Sequence, residues 1–192
     1  MKKKLKIIII IFIICLIVGI MLFVLLNKED NTLLNNPTDK EIESVIKNLK
    51  GVTSTCLVTE DNDPNGNLNK QGGYTGAVYF RLEQVDKKEK ADDIKEFGED
   101  FVNSENWESY YEQFSDACDA GTDGGGQIEI YPNKSTAEKR DAYLSNLDGF
   151  LSGGSHTVAG TLVIRISHEL SSSQQKALTT EIINMLNNSG KN

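Results

Sequence analysis

The chain has 192 residues, with 20 basic and 28 acidic side chains and a formal net charge of −8. Basic residues crowd positions 2–6, where no acidic residue occurs, so the remainder of the chain is still more acidic. Such a polypeptide is repelled by nucleic acid and by anionic lipid headgroups, which argues against both as partner surfaces. After about 25 residues for a membrane segment and about 10 for a linker, the remaining length suits one domain with a hydrophobic core.

The first predicted element is a transmembrane helix over residues 7–26, preceded by a basic tail at 1–6. The 20 residues of this run contain no charged or strongly polar side chain, and at 1.5 Å per residue they span about 30 Å, the thickness of a bilayer core. The basic tail predicts a cytoplasmic amino terminus and an extracellular carboxyl-terminal part, in a single-pass protein of the cell membrane.

Two alternatives to this anchor are a cleaved signal peptide and a lipoprotein signal. The apolar region of a signal peptide is typically about 7–15 residues long and ends in small residues, whereas this run is longer and ends at Leu26. A lipid-modified Cys15 needs a small residue before it, and Ile14 stands there. The sequence therefore favours an uncleaved anchor.

Beyond the anchor, a polar linker is predicted at residues 27–37 and a single domain at 38–192. Thr38 and Glu41 form a capping box, and Gly51 ends the helix that follows. Apolar and β-branched runs predict strands at 52–59, 74–85, 127–131 and 157–167. Helical spacing predicts further helices at 87–98, 107–118, 135–149 and 171–188.

This order of elements predicts an α+β domain, in the form of a two-layer α/β sandwich with a mixed sheet of about four strands and helices mainly on one face. The first two strands suit an antiparallel pair, whereas the strand, helix and strand from 127 to 167 predict a right-handed parallel crossover. His156 and His168 lie near opposite ends of the last predicted strand. At about 3.3 Å per residue they would be about 40 Å apart, too far to share a metal ion.

A loop over residues 61–68 resembles the first half of an EF-hand calcium loop. Oxygen donors at Asp61, Asp63 and Asn65 are followed by a glycine and then an apolar residue. Gly72 stands where the bidentate glutamate belongs, and strands flank the loop, so a helix–loop–helix is excluded. Two interpretations remain: a weak calcium site, calcium being the one cofactor that the sequence suggests, or a turn-rich hairpin connection.

Two cysteines lie beyond the anchor, Cys56 and Cys118, and both fall on core-facing positions. An even number of cysteines in an oxidising compartment favours a disulfide, although two buried free thiols agree equally well with the pattern.

An aromatic stripe runs along the helix predicted at 107–118. Its members, at helical spacing, are Trp107, Tyr110, Tyr111, Phe114 and Cys118. Core packing is the ordinary explanation for such a stripe. A ligand-stacking surface of the kind that sugar-binding proteins use is the alternative.

Four segments resemble a known family: TEDNDPNG at 59–66, GGYTGAVYF at 72–80, DGGGQIEIY at 123–131 and GSHTVAGTLVIR at 154–165. Together they are similar to extracytoplasmic modules of Gram-positive bacteria that follow signal anchors or lipoprotein signals. The resemblance covers most of residues 52–188 and implies a cell-surface location and a shared fold. It supplies no site residues, because no activity is assigned to that family.

The sequence predicts a non-enzymatic binding module, held in the membrane by its amino-terminal helix and directed at an envelope component or partner protein. A calcium-binding surface module that uses the 61–68 loop is the alternative. An enzyme acting on the envelope is the third possibility, although no pair of carboxylates or other catalytic set stands out.

Overall fold

The computed structural model describes residues 33–104, 107, 109, 116–147 and 154–189. These residues belong to one compact unit that begins at residue 31. The anchor predicted at 7–26 lies outside the described residues, as does most of the aromatic helix predicted at 107–118. Within the described ranges, no helix has both the length and the apolar character needed to cross a membrane.

The described chain consists of short strands together with short and long helices. In chain order they are α1 (Asp39–Ile46), β1 (Val52–Leu57), β2 (Gly76–Leu82), α2 (Glu83–Phe97), α3 (Glu99–Val102), α4 (Ala117–Ala120), β3 (Gly125–Ile130), α5 (Lys134–Ser145), β4 (Ser155–Ala159), β5 (Leu162–Ile166) and α6 (Ser172–Ser189). This content confirms the predicted α+β class.

Helix α1 begins as the sequence predicts. The Thr38 hydroxyl accepts a hydrogen bond from the Glu41 amide at 3.2 Å, and the Thr38 amide donates to the Glu41 carboxylate at 2.7 Å. These two bonds form the predicted capping box, which satisfies amides that have no partner inside the helix. Gly51 has a φ of 86°, a conformation that suits glycine, and turns the chain into β1.

The sheet has five strands in the order β1-β2-β3-β5-β4, and every neighbouring pair is antiparallel. The prediction of a mixed sheet is therefore wrong, and the sheet has five strands where about four were predicted. The reason lies after α5, where the chain adds β4 at the sheet edge before it enters β5. This extra strand reverses the chain direction, so that β5 runs antiparallel to β3 and no parallel crossover is needed.

The segment predicted as one strand at 157–167 is the hairpin of β4 and β5. The register leaves Gly160 and Thr161 as a two-residue turn, and Gly160 has the positive φ, 63°, that such turns need. Apolar residues on both sides of the turn gave the appearance of a continuous strand. Because the chain doubles back, His156 and His168 lie towards the same end of the hairpin, and their predicted separation of about 40 Å is wrong.

Helices cover both faces of the sheet. Face 1 carries Val78, Phe80, Leu82, Ile128, Ile130, Leu162, Ile164 and Ile166, and these residues pack against α1 and α6. Face 2 carries Cys56, Ala77, Tyr79 and Val163 with the polar Gln127, Glu129 and Arg165, and it packs against α4 and α5. The architecture thus has three layers, and the prediction of helices mainly on one face is wrong.

The chain enters the folded unit beside the β4–β5 turn. Leu33 donates its amide to the Leu186 carbonyl at 3.3 Å, and Thr161 donates its amide to the Leu34 carbonyl at 2.7 Å. Both leucines also pack against the core of face 1. The end of the segment predicted as linker is thereby fixed to the sheet.

Candidate functional site

Asp63 organises the long loop that connects β1 to β2. Its carboxylate accepts hydrogen bonds from the amides of Asn65, at 3.1 Å, and Leu68, at 2.7 Å, and from the hydroxyl of Tyr74. Burial acts to raise the pKa of Asp63, but these donors outweigh it and lower the pKa. The same contact with Asp63, added to burial, raises the pKa of Tyr74. Asp63 therefore remains ionised and holds the loop closed.

The other two residues of the predicted calcium site, Asp61 and Asn65, have different surroundings. Asp61 is exposed, and the Asn65 amide group donates to the Tyr79 hydroxyl at 2.7 Å. A Cβ placed on Gly66 would lie 3.6 Å from the Lys70 ammonium, so a positive charge already occupies the side of the loop. The structure brings Asp63 and Asn65 together through a hydrogen bond from the Asn65 backbone amide to the Asp63 carboxylate. Calcium binding stays the alternative to a turn-rich hairpin connection.

Of the two alternatives for the cysteines, a disulfide or two buried free thiols, the structure has the disulfide pair. Cys56 on β1 and Cys118 on α4 are both buried, their Cα atoms are 5.5 Å apart, and their sulfur atoms are at disulfide distance. The side chain of Asn62 donates to the Leu57 carbonyl at 3.1 Å and lies 3.5 Å from the Cys56 sulfur. The cysteine pair therefore links α4, which follows α2 and α3 in the chain, to β1. This link lies next to the Asp63 loop.

A buried ionic network lies behind this loop, on face 2. Glu129 is fully buried, and its carboxylate accepts hydrogen bonds from two nitrogens of Arg140, each at 3.0 Å, and from the Tyr131 hydroxyl at 2.8 Å. Arg165 approaches the same carboxylate at 3.4 Å and donates to Gln127 at 2.9 Å. The network therefore holds two guanidinium charges against one carboxylate.

The charges in this network shift the pKa values of their neighbours. Burial acts to lower the pKa of Arg140, but the hydrogen bonds and negative charge of Glu129 outweigh it and raise the pKa. Burial raises the pKa of Tyr131, and the charge of Glu129 raises it further. At neutral pH Arg140 is therefore charged and Tyr131 is neutral, and neither of these two groups is poised to exchange a proton.

This network is not predicted by the sequence patterns described above, although one signal for it is present. The chain contains three arginines among its 20 basic residues, and all three form ion pairs with carboxylates: Arg81 pairs with Asp86 and Glu89, while Arg140 and Arg165 pair with Glu129. Arginine is better suited than lysine to buried pairing because its planar group donates in two directions. In a lysine-rich chain, the rare arginines mark the buried ion pairs.

A cleft opens between the Asp63 loop and α5. It has a volume of about 310 Å³ and is lined by Asn67, Gln71, Gly72, Gly73, Tyr131, Lys139, Arg140 and Tyr143. A second recess of about 460 Å³ shares Gln71, Gly72, Gly73 and Lys139 with it. No carboxylate lines either recess. By contrast, two other recesses in the described chain, between α1 and α6 and beside α2, each include two acidic residues.

The walls of this cleft are held in place by close packing. A Cβ on Gly73 would overlap the carbonyl of Asn67. Only glycine therefore allows these two segments of the loop to approach so closely. On the opposite wall, the Tyr143 ring is 55% exposed and lies 5.5 Å from the guanidinium carbon of Arg140. The cleft therefore presents a fixed cation beside an exposed aromatic ring.

A second surface of note is an aromatic cluster at the end of α2. The rings of Phe97, Phe101 and Trp107 contact one another with centroids 5.4–6.0 Å apart. Phe97 is 48% exposed and Phe101 is 51% exposed. Of the predicted aromatic stripe, only Trp107 and Cys118 are described, so the stripe itself stays a prediction.

The histidines take separate partners. His156 lies 2.7 Å from a carboxylate oxygen of Asp141 on α5, and His168 lies 3.2 Å from Asp123 and 3.0 Å from Glu169. Among the described residues, the group that satisfies the spacing of a three-ligand metal site is Cys56, Asp116 and Cys118, and its sulfurs are at disulfide distance from each other.

Comparison of the chain with protein-family models, with curated proteins and with solved structures found no match. The family resemblance described above therefore remains an expectation.

Proposed function

We propose that this protein is a non-enzymatic binding module, held at the outer face of the cell membrane by residues 7–26, and that the cleft between the Asp63 loop and α5 is its binding surface. One observation carries the binding role: the cleft is preformed. Asp63 closes one wall with its hydrogen bonds, and the Glu129 network fixes the other. Preformed walls lower the ordering cost of binding.

The cysteine pair supports the proposed location. Disulfides persist in oxidising compartments such as the cell exterior and are rare in reducing cytosol. The disulfide distance between Cys56 and Cys118 therefore agrees with the outward orientation that the basic tail predicts.

The charge arrangement supports a binding role over a catalytic one. A general acid or base must be able to gain or lose a proton near the operating pH. Here the Glu129 carboxylate already accepts hydrogen bonds from Arg140, Arg165 and Tyr131, which occupy both of its oxygens. The network thus stabilises a surface and does not offer a reactive group to the cleft.

A cosedimentation experiment tests this proposal. Full-length protein in a non-ionic detergent is mixed with insoluble cell-wall material from a Gram-positive bacterium, and the bound fraction is measured against protein concentration. Tyr143→Ala removes the exposed ring of the cleft, while Phe97→Ala removes an equally exposed ring from the aromatic cluster. Removing an interface aromatic typically costs more than about 1 kcal/mol, so we expect Tyr143→Ala to weaken binding about fivefold or more.

Phe97→Ala should bind as the unchanged protein does. If Phe97→Ala weakens binding and Tyr143→Ala does not, the aromatic cluster is the binding surface and the cleft is not. Absence of any cosedimentation would overturn the envelope-binding role itself. The location is tested separately: protease added to intact cells should degrade residues 31–192, and complete protection would contradict the orientation.

A further inference from the structure

The charge of the cleft differs in sign from that of the rest of the chain. Acidic residues outnumber basic ones by 28 to 20 overall, yet Lys139 and Arg140 line the cleft and no acidic residue does. Arg140 also belongs to the buried network, in which it shares the Glu129 carboxylate with Arg165, so this network and Lys139 together contribute an excess of two positive charges. The two acidic neighbours on α5 have other partners: Asp141 contacts His156, and Glu138 contacts Lys134. An anion is therefore attracted to this cleft and repelled by most of the surrounding surface.

Arg140 is oriented to bind an anion. Glu129 engages its Nε and Nη2 atoms, and within the described chain no residue accepts a hydrogen bond from Nη1. The side chain is thereby fixed, and it lines the cleft with 16% of its surface exposed. A guanidinium held in this way forms strong, directional hydrogen bonds to phosphate or carboxylate. Lys139, which has no ion-pair partner among the described residues, adds an exposed positive charge beside it.

The other lining groups suit a sugar ring. The exposed face of Tyr143 provides a flat apolar surface, and Asn67 and Gln71 provide amide groups for hydroxyls. The backbone amides of Gln71 and Gly72 also donate to no acceptor within the described residues. An acidic peptide would use the cations but has no need of the aromatic ring.

We propose that the cleft binds an anionic glycan of the cell envelope, with its phosphate or carboxylate group on Arg140 and Lys139 and an adjoining sugar ring against Tyr143. This inference rests on the proposed function, since it names the ligand of the same cleft.

Binding of small probes to the full-length protein in non-ionic detergent tests the inference, with affinities measured by saturation-transfer NMR or calorimetry. The probes are glucose, glucose 6-phosphate, glucuronate, inorganic phosphate and a short peptide of aspartate and glutamate. Glucose 6-phosphate or glucuronate should bind at least about tenfold more tightly than glucose, which is the worth of one charge-assisted hydrogen bond. The tighter of the two identifies phosphate or carboxylate as the group recognised.

Two variants at exposed positions provide the structural controls. Lys139→Glu should weaken binding of the charged sugar about tenfold or more, whereas Lys50→Glu, the same charge change in the exposed turn before β1, should alter it less than about twofold. Tyr143→Ala should weaken binding of the charged sugar but leave inorganic phosphate unaffected.

Three results would overturn the inference. They are equal binding of glucose and the charged sugars, equal effects of Lys139→Glu and Lys50→Glu, and binding of the acidic peptide as tight as that of the charged sugars. Each leaves the cosedimentation result untouched, so failure of the ligand class is distinguishable from failure of the binding role.

Discussion

Breaking the covalent link between Cys56 and Cys118 should destabilise the folded unit strongly. The two residues are 62 positions apart in the chain, and on the chain-entropy model a loop of that length contributes about 4 kcal/mol to the free energy of unfolding. For a folded unit of this size, about 1 kcal/mol shifts Tm by about 2–4 °C. Reduction should therefore lower Tm by about 8–16 °C.

Thermal melts of the full-length protein in non-ionic detergent, with and without a reductant, measure this effect. The double variant Cys56→Ala/Cys118→Ala is the matched control, because it keeps Cys15 and should melt at the same temperature in both conditions. Its Tm should lie near or below that of the reduced protein, since alanine also packs less well than cysteine. A reductant-induced shift smaller than about 2 °C in the unchanged protein would refute the reasoning, as would free thiols at both positions in unreduced, denatured protein.

Three further predictions concern the site. Arg140→Met should lower the free energy of unfolding by about 3–5 kcal/mol in chemical denaturation, because it deprives the buried Glu129 of its main partner. Lys139→Met, at the exposed position directly before it, should change the free energy of unfolding by less than about 0.5 kcal/mol. Similar losses in the two variants would contradict the buried pairing. The pKa of Asp63 is lowered by folding, so its stabilisation is present above the unfolded pKa of about 3.9 and is lost as pH falls through the lower folded value. Between pH 5 and 2 the unfolding free energy of Asp63→Asn should fall less steeply than that of the unchanged protein, and parallel curves would show that Asp63 has no such role. Because Asp63 already accepts hydrogen bonds, we expect equal Tm values in about 10 mM calcium and in chelator; a rise of about 3–10 °C that Asp61→Ala abolishes would instead establish the calcium site.

Local features of the fold were accessible from the sequence. The capping box at Thr38 and Glu41, the strand after Gly51 and the last helix each follow from patterns within a few residues, and the structure has all three. The core-facing positions of Cys56 and Cys118 also followed from alternation along a strand and spacing along a helix, whereas the sequence left open whether the two cysteines form a bridge.

The features that required tertiary information were missed. Gln127 and Glu129 alternate with isoleucines on β3, a pattern that ordinarily indicates one buried and one solvated face. Whether the polar face meets water depends on where α5 lies, which no local pattern records. The turn at Gly160 was not recognised for a related reason. The residues before and after it in the chain are apolar on both faces of the sheet, because each face packs against a layer of helices. The cleft depends on the position of α5, which supplies one of its walls.

The measurement that tests the cleft most directly is a map of the ligand on the protein. Amide chemical shifts of isotopically labelled protein are recorded while a soluble fragment of anionic envelope glycan is added. The account predicts that the changes are confined to residues 67–73 of the loop and 139–143 of α5. Changes centred instead on Phe97 and Phe101, or on the recess between α1 and α6, would contradict the assignment of the binding surface.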